Sequence, residues 1–278
     1  MAPISWFTLL ATLVSVSTSI RAIPTASMLL PRQDSIMPLT PAQIAAFKPY
    51  TWYAATIACN ISDIMDWTCG ENLACHPGFA GYDPTLDEVI VVHQGTAAAY
   101  VIPVITDLLV SLSVLAHQGF AGTQSRSAPG VIAAVEQALS LYSTKKVTAV
   151  GHSLGAAIAL LDAVYLPLHL PSDVTVRYVG YSSPRVGNQA FADYVDAQGM
   201  SVTHINNKQD PVSVLPTMEF FEYHHVSGEI HIRNDAVWVS CPGQDNPSDQ
   251  CSTGAVTYAT RNATQHPGPF DGVSIGVC

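Results

Sequence analysis

The chain has 278 residues, of which 48% are hydrophobic and only 12% are charged, and its formal net charge is −10. This length suits one large α/β domain or two small ones, and nothing in the sequence marks a boundary between domains. An acidic chain without any run of Lys or Arg lacks the basic surface that nucleic-acid binding requires, so we expect no nucleic-acid partner. The low charged fraction is sparse for the surface of a cytosolic protein.

The N-terminus carries an apolar run over residues 6–16, followed by small and polar residues. We interpret residues 1–22 as a secretory signal peptide, because the run is too short to span a bilayer comfortably and sits at the extreme N-terminus. The alternative is a membrane anchor; the sequence favours a secreted, extracellular protein without a stable anchor. Residues 23–39 contain three prolines and no clear period, so we predict a propeptide or a loose arm there.

A helix is predicted to begin after Thr40, which can cap it, with Pro41 in its first turn. Pro49 divides this helix into two pieces. Residues 63–84 then form a connection rich in Gly and Asp, with two of the cysteines.

Residues 88–93 (EVIVVH) have the pattern of a buried strand. The strand ends in Gln-Gly-Thr, which would place the backbone N–H of Thr96 at the carboxyl edge of the sheet, where open α/β sheets carry their sites. A simple turn is the alternative. Residues 97–116 contain one charge, but Pro103 and Asp107 in the middle argue against a transmembrane helix. We interpret them as an apolar lid or rim that borders the site, with a plain core helix as the alternative.

One stretch, residues 147–166 (VTAVGHSLGAAIALLDAVYL), combines three features that belong together. It begins as a buried strand, continues with Gly-His-Ser-Leu-Gly and ends in small and apolar residues that favour a helix. A G-x-S-x-G match between a strand and a helix is the context in which the motif marks a nucleophile. We therefore predict that Ser153 is a nucleophile whose hydroxyl projects from the top of a sheet; the alternative is a chance match.

The remaining elements alternate between helices and strands. In chain order, we predict a polar loop over residues 117–130, an amphipathic helix over 129–143, a strand over 174–181, a turn over 183–188, a helix over 189–197, a strand over 202–206, and later edge strands over 229–232 and 237–240. This alternation predicts an α/β fold, a mostly parallel sheet with helices on both faces.

A serine nucleophile needs a base, and a carboxylate that orients the base. In α/β hydrolases the acid and then the base follow the nucleophile along the chain. Asp210 fits best as the acid, because it lies on a loop directly after a strand, whereas Asp193 and Asp196 fall on a helix. For the base, position favours His266, which stands in a loop bounded by Pro and Gly. Three other histidines fall in or beside predicted strands and stay open, namely His224, His225 and His231.

Six cysteines are typical of a secreted protein with disulfide bonds. Spacing favours two local pairs and leaves one distant pair, namely Cys69 with Cys75, Cys241 with Cys251, and Cys59 with Cys278. Other connectivities are compatible with the sequence. A zinc site is the alternative, but no Cys-x2-Cys or histidine-containing ligand set is present, so we expect no metal. Asn60 and Asn262 each begin an N-x-S/T triplet and are candidate glycosylation sites.

From about residue 50 to its end, the chain resembles the fungal class 3 lipase family of secreted triacylglycerol lipases and related esterases. Five segments carry the resemblance: GHSLGAA (151–157), SPRVGNQAF (183–191), HINNKQDPVSVLP (204–216), HHVSGEIHI (224–232), and a terminal H-x3-F-x-G with a final Cys (266–278). Together they are highly specific, although no single segment is.

The resemblance implies an α/β-hydrolase fold over residues 40–278, forming a single catalytic domain that hydrolyses carboxylic esters without a cofactor. It also implies the three disulfides that spacing favours. The site residues that it implies are a catalytic triad and two backbone oxyanion donors: Ser153, Asp210 and His266 for the triad, and Thr96 and Leu154 for the oxyanion.

The segment between Thr96 and His117 departs from the family pattern. The family has a lid helix, a further loop and a strand there, whereas this chain has only residues 97–116. The lid is therefore shortened or reshaped, as in a lidless esterase-like member, or the gene model has lost a piece. Gln94 also stands where many members carry a basic residue.

Two classes of function compete. The first is an extracellular lipase that acts on acylglycerol lipids at a lipid–water interface, with a short-chain or feruloyl-type esterase as a variant. The second is an inactive secreted protein that binds lipid with the same fold. Hydrolysis of an ester by the purified protein separates the two classes.

Overall fold

The computed structural model describes residues 35–56, 80–95 and 115–276. The predictions for the signal peptide, the 97–114 segment, Asn60, Thr96 and four of the cysteines concern residues outside these ranges. The helices are α1 (Pro41–Ala45), α2 (Lys48–Thr56), α3 (Gln118–Tyr142), α4 (Leu154–Tyr165), α5 (Gln189–Ala197), α6 (Met218–Phe221) and α7 (Ser252–Ala255). The strands are β1 (Met37–Pro38), β2 (Ala80–Asp83), β3 (Glu88–His93), β4 (Lys146–His152), β5 (Thr175–Tyr181), β6 (Gly187–Asn188), β7 (Ser201–Asn207), β8 (Tyr223–His224), β9 (Glu229–Ile232) and β10 (Trp238–Cys241).

Within the described ranges, eight strands form one sheet in the order β1-β10-β9-β7-β5-β4-β3-β2. Its centre is parallel, from β3 through β4, β5 and β7 to β9. The strands β2 at one edge, and β10 and β1 at the other, run antiparallel to their neighbours. The short strands β6 and β8 form a separate ribbon. The predicted mostly parallel sheet is therefore confirmed.

Helices bury both faces of the central strands. On one face, Val147 and Ala149 of β4 belong to a cluster with residues of α3 and α4. On the other face, Val150 packs in a cluster with Ala54 of α2 and with Phe270 from the C-terminal segment. Because neither face of these strands meets water, their sequences read as nearly continuous apolar runs.

The predicted N-terminal helix and its division are confirmed. Thr40 accepts the backbone N–H of Gln43 on its hydroxyl, and the Gln43 side chain accepts the backbone N–H of Thr40 at 2.8 Å, which completes a capping box. The second piece, α2, places Pro49 in its first turn, where a missing N–H costs no helical hydrogen bond.

The predicted polar loop over residues 117–130 is wrong, because α3 covers it almost completely. His117 caps this helix, with its ring Nδ1 accepting a backbone N–H of the first turn at 3.0 Å. Phe120, Gln124 and Ala128 recur every four residues and are all buried, so the first half of α3 has an inward face. Its Gly and Ser residues look like a loop locally, but packing against α4 and β2 outweighs that preference.

The edges of the sheet also differ from the prediction. The strands β9 and β10 are not edge strands, because β9 lies between β7 and β10, and β1 pairs with the outer side of β10. The end of the 23–39 segment is therefore a sheet edge rather than a loose arm, and Leu39 extends it by donating its N–H to the Trp238 carbonyl at 2.8 Å. An edge position suits Pro38, which has no N–H to donate. The propeptide remains a prediction.

At the opposite edge, the last residues of the predicted 63–84 connection form β2. Its sequence, Ala-Gly-Tyr-Asp, has no strand pattern, and the strand forms by antiparallel pairing with β3. None of the helices in the described ranges combines the length and the hydropathy needed to cross a membrane.

Candidate active site

Ser153 occupies a sharp turn between β4 and α4. Its backbone has φ 59° and ψ −129°, a strained conformation that residues with a side chain rarely adopt. Glycine is required on both sides of it. A Cβ on Gly151 would lie 2.2 Å from the carbonyl oxygen of Gly155, and one on Gly155 would lie 2.1 Å from that of His93. The G-x-S-x-G pattern therefore follows from the close contact of α4 with β4 and β3.

The hydroxyl of Ser153 is buried rather than projecting freely from the sheet. The residue has 0% exposure, and its Oγ has no hydrogen-bond partner among the described residues. A buried polar atom without a hydrogen bond costs about 1–3 kcal/mol, so the position of this hydroxyl needs an explanation. A substrate can reach Oγ only if the residues that cover it move.

Asp210 and His266 are in direct contact. Asp210 follows β7 and caps a short 3-10 helix (Pro211–Val214), with its Oδ1 accepting the backbone N–H of Val212 at 3.0 Å. Its Oδ2 lies 2.8 Å from Nδ1 of His266, and both side chains are buried. A carboxylate can only accept, so the ring carries its proton on Nδ1. The other nitrogen, Nε2, has no hydrogen-bond partner in the described structure, so it is not bonded to Oγ of Ser153 there.

The loops that carry Asp210 and His266 are joined by three further hydrogen bonds. Gln209 donates its N–H to Oε1 of Gln265 at 2.7 Å, and its carbonyl accepts the N–H of Asn262 at 2.7 Å. The side-chain amide of Asn207 donates to the Gln265 carbonyl at 2.8 Å. These contacts bring together two residues that lie 56 positions apart in the chain.

The other candidate histidines are occupied elsewhere. His224 lies 3.3 Å from the Asp245 carboxylate, and His225 lies 2.8 Å from the Ser213 carbonyl. His231 contacts two backbone carbonyls, at 2.7 and 2.8 Å. Of these histidines, the structure places His266 alone beside Asp210, as the loop position favours.

The predicted oxyanion donors are only partly described. Leu154 is the first residue of α4, so its N–H lies at the positive end of the helix dipole, directly after Ser153. Thr96 lies outside the described residues. The end of β3 does approach the serine turn, because a Cβ on Gly95 would lie 3.3 Å from Cβ of Ser153.

One polar contact near this turn was not predicted from the sequence. Nε2 of His93, the last residue of β3, lies 2.5 Å from Oδ2 of Asp162 in α4, and Gln124 of α3 donates to the same carboxylate at 2.9 Å. All three side chains are buried. The sequence signal is an Asp within the apolar run AAIALLDAVYL, which a helix buried on all sides rarely carries without a partner.

Cys241 and Cys251 form a disulfide, the pairing that spacing favours. In the loop that it closes, Asp245 accepts from Nε of Arg185 at 2.8 Å. The Arg185 guanidinium also donates to the carbonyls of Val214 and Pro216, the latter at 3.0 Å. The disulfide loop thus supports the segment that follows Asp210.

Within the described chain, one group of side chains could offer three metal ligands, namely Glu229, Cys241 and Cys251. Its two sulfurs are bonded to each other and are not thiolates, so the arrangement does not fit a metal ion. Asn262 is exposed, four residues before His266, and its side chain accepts from the Thr264 hydroxyl at 2.7 Å. Glycosylation of Asn262 remains a prediction.

Comparison with known proteins gives a consistent picture. The family model described as Lipase (class 3) matches residues 80–220, half of the chain. A secreted mono- and diacylglycerol lipase of Gibberella zeae is 33% identical over 175 residues, which cover 57% of this chain and 54% of that protein. A lipase of Rhizopus oryzae is 26% identical over 271 residues, covering 87% and 67%. The chain spans about half the length of the curated relatives it matches first.

Solved structures show the same fold. The triacylglyceride lipase of Rhizomucor miehei superimposes with a TM-score of 0.73 at 23% identity, covering 87% of this chain and 99% of that one. The structure of a mutant form of the protein MDLA from Penicillium cyclopium gives a TM-score of 0.69 at 23% identity, covering 86% of this chain and 100% of that one. The fold is therefore the α/β-hydrolase fold that the resemblance implies.

Proposed function

The chain belongs to the class 3 lipase family, and on that premise we propose that it is a secreted serine hydrolase that cleaves carboxylic esters of acylglycerol lipids. Ser153 is the nucleophile, His266 the general base and Asp210 the residue that orients the base. The observation that carries the proposal is the state of His266: its Nδ1 is bonded to Asp210, whereas its Nε2 is buried without a partner.

Acyl transfer follows from this arrangement in two steps. In the first, Oγ of Ser153 forms a bond to the ester carbonyl carbon while Nε2 of His266 takes the hydroxyl proton. The C–O bond to the alcohol then breaks, and the alcohol leaves with that proton. In the second step, water attacks the acyl-enzyme with the same proton transfers and releases the fatty acid. Asp210 fixes the ring orientation and stabilises the imidazolium in both steps.

The negative oxygen of each tetrahedral intermediate needs N–H donors. Leu154 supplies one from the start of α4, and Thr96 is proposed as the other because of its place in the sequence after β3. Loss of one such donor costs about 3 kcal/mol of transition-state stabilisation in other hydrolases. The chemistry requires no metal or organic cofactor.

The substrate class rests on two considerations. The matched relatives are named mono- and diacylglycerol lipases, so partial glycerides are the first substrates to test. Burial of Ser153 means that covering residues must move, and a lipid–water interface can supply apolar contacts that stabilise the open arrangement. We therefore expect higher activity on emulsified than on dissolved ester.

The test is hydrolysis of p-nitrophenyl butyrate by the purified protein and by Ser153→Ala. We expect the variant to lose at least about 10⁴-fold in kcat, as other serine hydrolases do without their nucleophile. An organophosphonate ester should label the unchanged protein at Ser153 and leave the variant unlabelled. If neither protein hydrolyses the ester and neither is labelled, the chain is the inactive lipid-binding member instead.

A second assay separates the candidate substrates. Monoolein, diolein, triolein and tributyrin are compared below and above the concentration at which each forms an interface. A lipase gains activity when the interface appears, whereas a short-chain or feruloyl-type esterase prefers dissolved short or aromatic esters.

A further inference from the structure

The backbone carbonyl of His266 accepts two hydrogen bonds from buried side chains. Nε2 of His152 lies 2.9 Å from this oxygen, and Oγ of Ser182 donates to it at 3.2 Å. The donors come from the ends of neighbouring parallel strands, since His152 ends β4 and Ser182 directly follows β5. A carbonyl oxygen has two lone pairs, so its hydrogen-bonding capacity is filled.

The two donors are defined by their chemistry. A carbonyl can only accept, so His152 carries its proton on Nε2. Burial, together with the nearby His266, lowers the pKa of His152 to about 3, so this ring is neutral near pH 7. The neutral state of His152 matters because the centres of the His152 and His266 rings lie 4.5 Å apart. A charged side chain at position 152 would oppose the imidazolium that forms on His266.

Every polar atom of His266 except one therefore has a hydrogen-bond partner. Its N–H donates to the Ala263 carbonyl at 3.2 Å, its Nδ1 contacts Asp210, and its carbonyl is held by the two buried donors. The remaining atom is Nε2. In a well-packed interior, fixing both the backbone and one ring nitrogen leaves the ring little freedom to turn.

We propose that His152 and Ser182 are positioning residues, which fix the orientation of the His266 ring, and so of its Nε2, by holding the carbonyl of that residue. This inference rests on the proposed function and deepens it. Neither side chain makes a hydrogen bond to Ser153 or Asp210 in the described structure. Their effect therefore passes through the geometry of His266, and it should change kcat rather than KM.

The variants are chosen to separate positioning from general support of the fold. Ser182→Ala removes one donor and keeps the Cβ that the native residue already has at its positive φ of 47°, so it adds no new steric demand. His152→Leu removes the other donor, and His152→Gln restores an N–H at similar reach. The matched control is Ser183→Ala, which deletes a buried hydroxyl bonded to Tyr178 and Pro184 and not to His266.

The first measurement is steady-state hydrolysis of p-nitrophenyl butyrate. We expect Ser182→Ala and His152→Leu to lose about 10- to 100-fold in kcat at unchanged KM, the scale expected for a small misplacement of a reacting group. His152→Gln should recover most of this loss, and Ser183→Ala should keep kcat within about twofold. The inference is overturned if Ser182→Ala and His152→Leu keep kcat at the level of the Ser183→Ala control.

The second measurement does not need activity. The Nδ1 proton of His266, shared with Asp210, is followed by low-field proton NMR in each variant. We expect its resonance to broaden or vanish in Ser182→Ala and His152→Leu, and to persist in His152→Gln and Ser183→Ala. An unchanged resonance in all four variants contradicts positioning. If the unaltered protein hydrolyses no ester, the proposed function has failed, and this resonance still decides whether the two donors hold the ring.

Discussion

Replacing Asp210 with Asn should invert the tautomer of His266. The Val212 N–H lies 3.0 Å from Oδ1 and can only donate, so the amide oxygen of an Asn must stay on that side. The amide NH2 then faces Nδ1 of His266, at the place where Oδ2 lies 2.8 Å away in the native chain. An NH2 group only donates, so Nδ1 must accept and the ring proton moves to Nε2. A protonated Nε2 cannot take the proton of Ser153.

The expected loss of activity follows from this change of tautomer. Other triads with the same Asp→Asn change lose about 10⁴-fold in kcat, which corresponds to about 5 kcal/mol of transition-state stabilisation. We therefore expect Asp210→Asn to lower kcat on p-nitrophenyl butyrate by about that factor near pH 7. KM should change little, because Asp210 is buried behind the histidine and 0% exposed.

The matched control is Asp193→Asn, the same chemical change on the exposed surface of α5, where Asp193 accepts from Gln189 at 2.8 Å. It should retain the full rate. Thermal unfolding of both variants checks that each is folded. If folded Asp210→Asn keeps kcat within about tenfold of the unchanged protein, Asp210 is not the acid and the tautomer argument is wrong.

Three further predictions concern stability. Arg185→Met leaves the buried Asp245 carboxylate without its guanidinium, and should lower the free energy of unfolding by about 3–5 kcal/mol in urea titrations. The exposed pair of Arg233 gives the control, since Arg233→Met should cost about 1 kcal/mol or less, and equal losses would refute the comparison. Cys251→Ser opens a loop with a sequence separation of 10 and should cost about 2–3 kcal/mol; identical urea midpoints for the variant and the unaltered protein would contradict this. Burial and the nearby His204 lower the pKa of His225 to about 3. Between about pH 6.5 and pH 3, His225 is therefore protonated in the unfolded chain and neutral in the folded chain. The free energy of unfolding should therefore fall with falling pH by up to about 1.4 kcal/mol per pH unit from this group. His225→Gln should reduce this pH dependence, and an equal pH dependence in both proteins would contradict the assignment.

Local sequence patterns correctly predict the elements on either side of Ser153. The strand and helix on either side of Ser153 are confirmed because their residues are buried on every side, which requires apolar sequence whatever the neighbours are. Of the two glycines of the motif, Gly151 meets a local requirement, because its close contact is with Gly155, whereas the close contact of Gly155 is with His93 on β3. The cap at Thr40 is confirmed because its partner is near in the chain, and the capping box that it forms with Gln43, which was not predicted, also lies within one helical turn.

Long-range contacts account for the errors at α3 and β1. The first half of α3 has a loop-like composition and becomes helical because Phe120 and Gln124 find partners on α4. The Ala-Gly-Tyr-Asp strand β2 and the β1 edge exist only because another strand offers free backbone groups. For α3 and β1 these partners lie far away in the chain, so no window of sequence contains them. The partner of β2 is the neighbouring strand β3, and this hairpin was missed because Ala-Gly-Tyr-Asp has no strand pattern.

By itself, the sequence determined the serine turn, the parallel α/β order and the loops that could supply an acid and a base, because each depends on residues close together in the chain. Only the tertiary structure decided which histidine meets Asp210, that the serine hydroxyl is covered, and that His152 and Ser182 hold the His266 carbonyl. The contacts of His266 depend on bonds between residues 56, 84 and 114 positions apart, whose formation is set by how the sheet and its loops pack rather than by local preference.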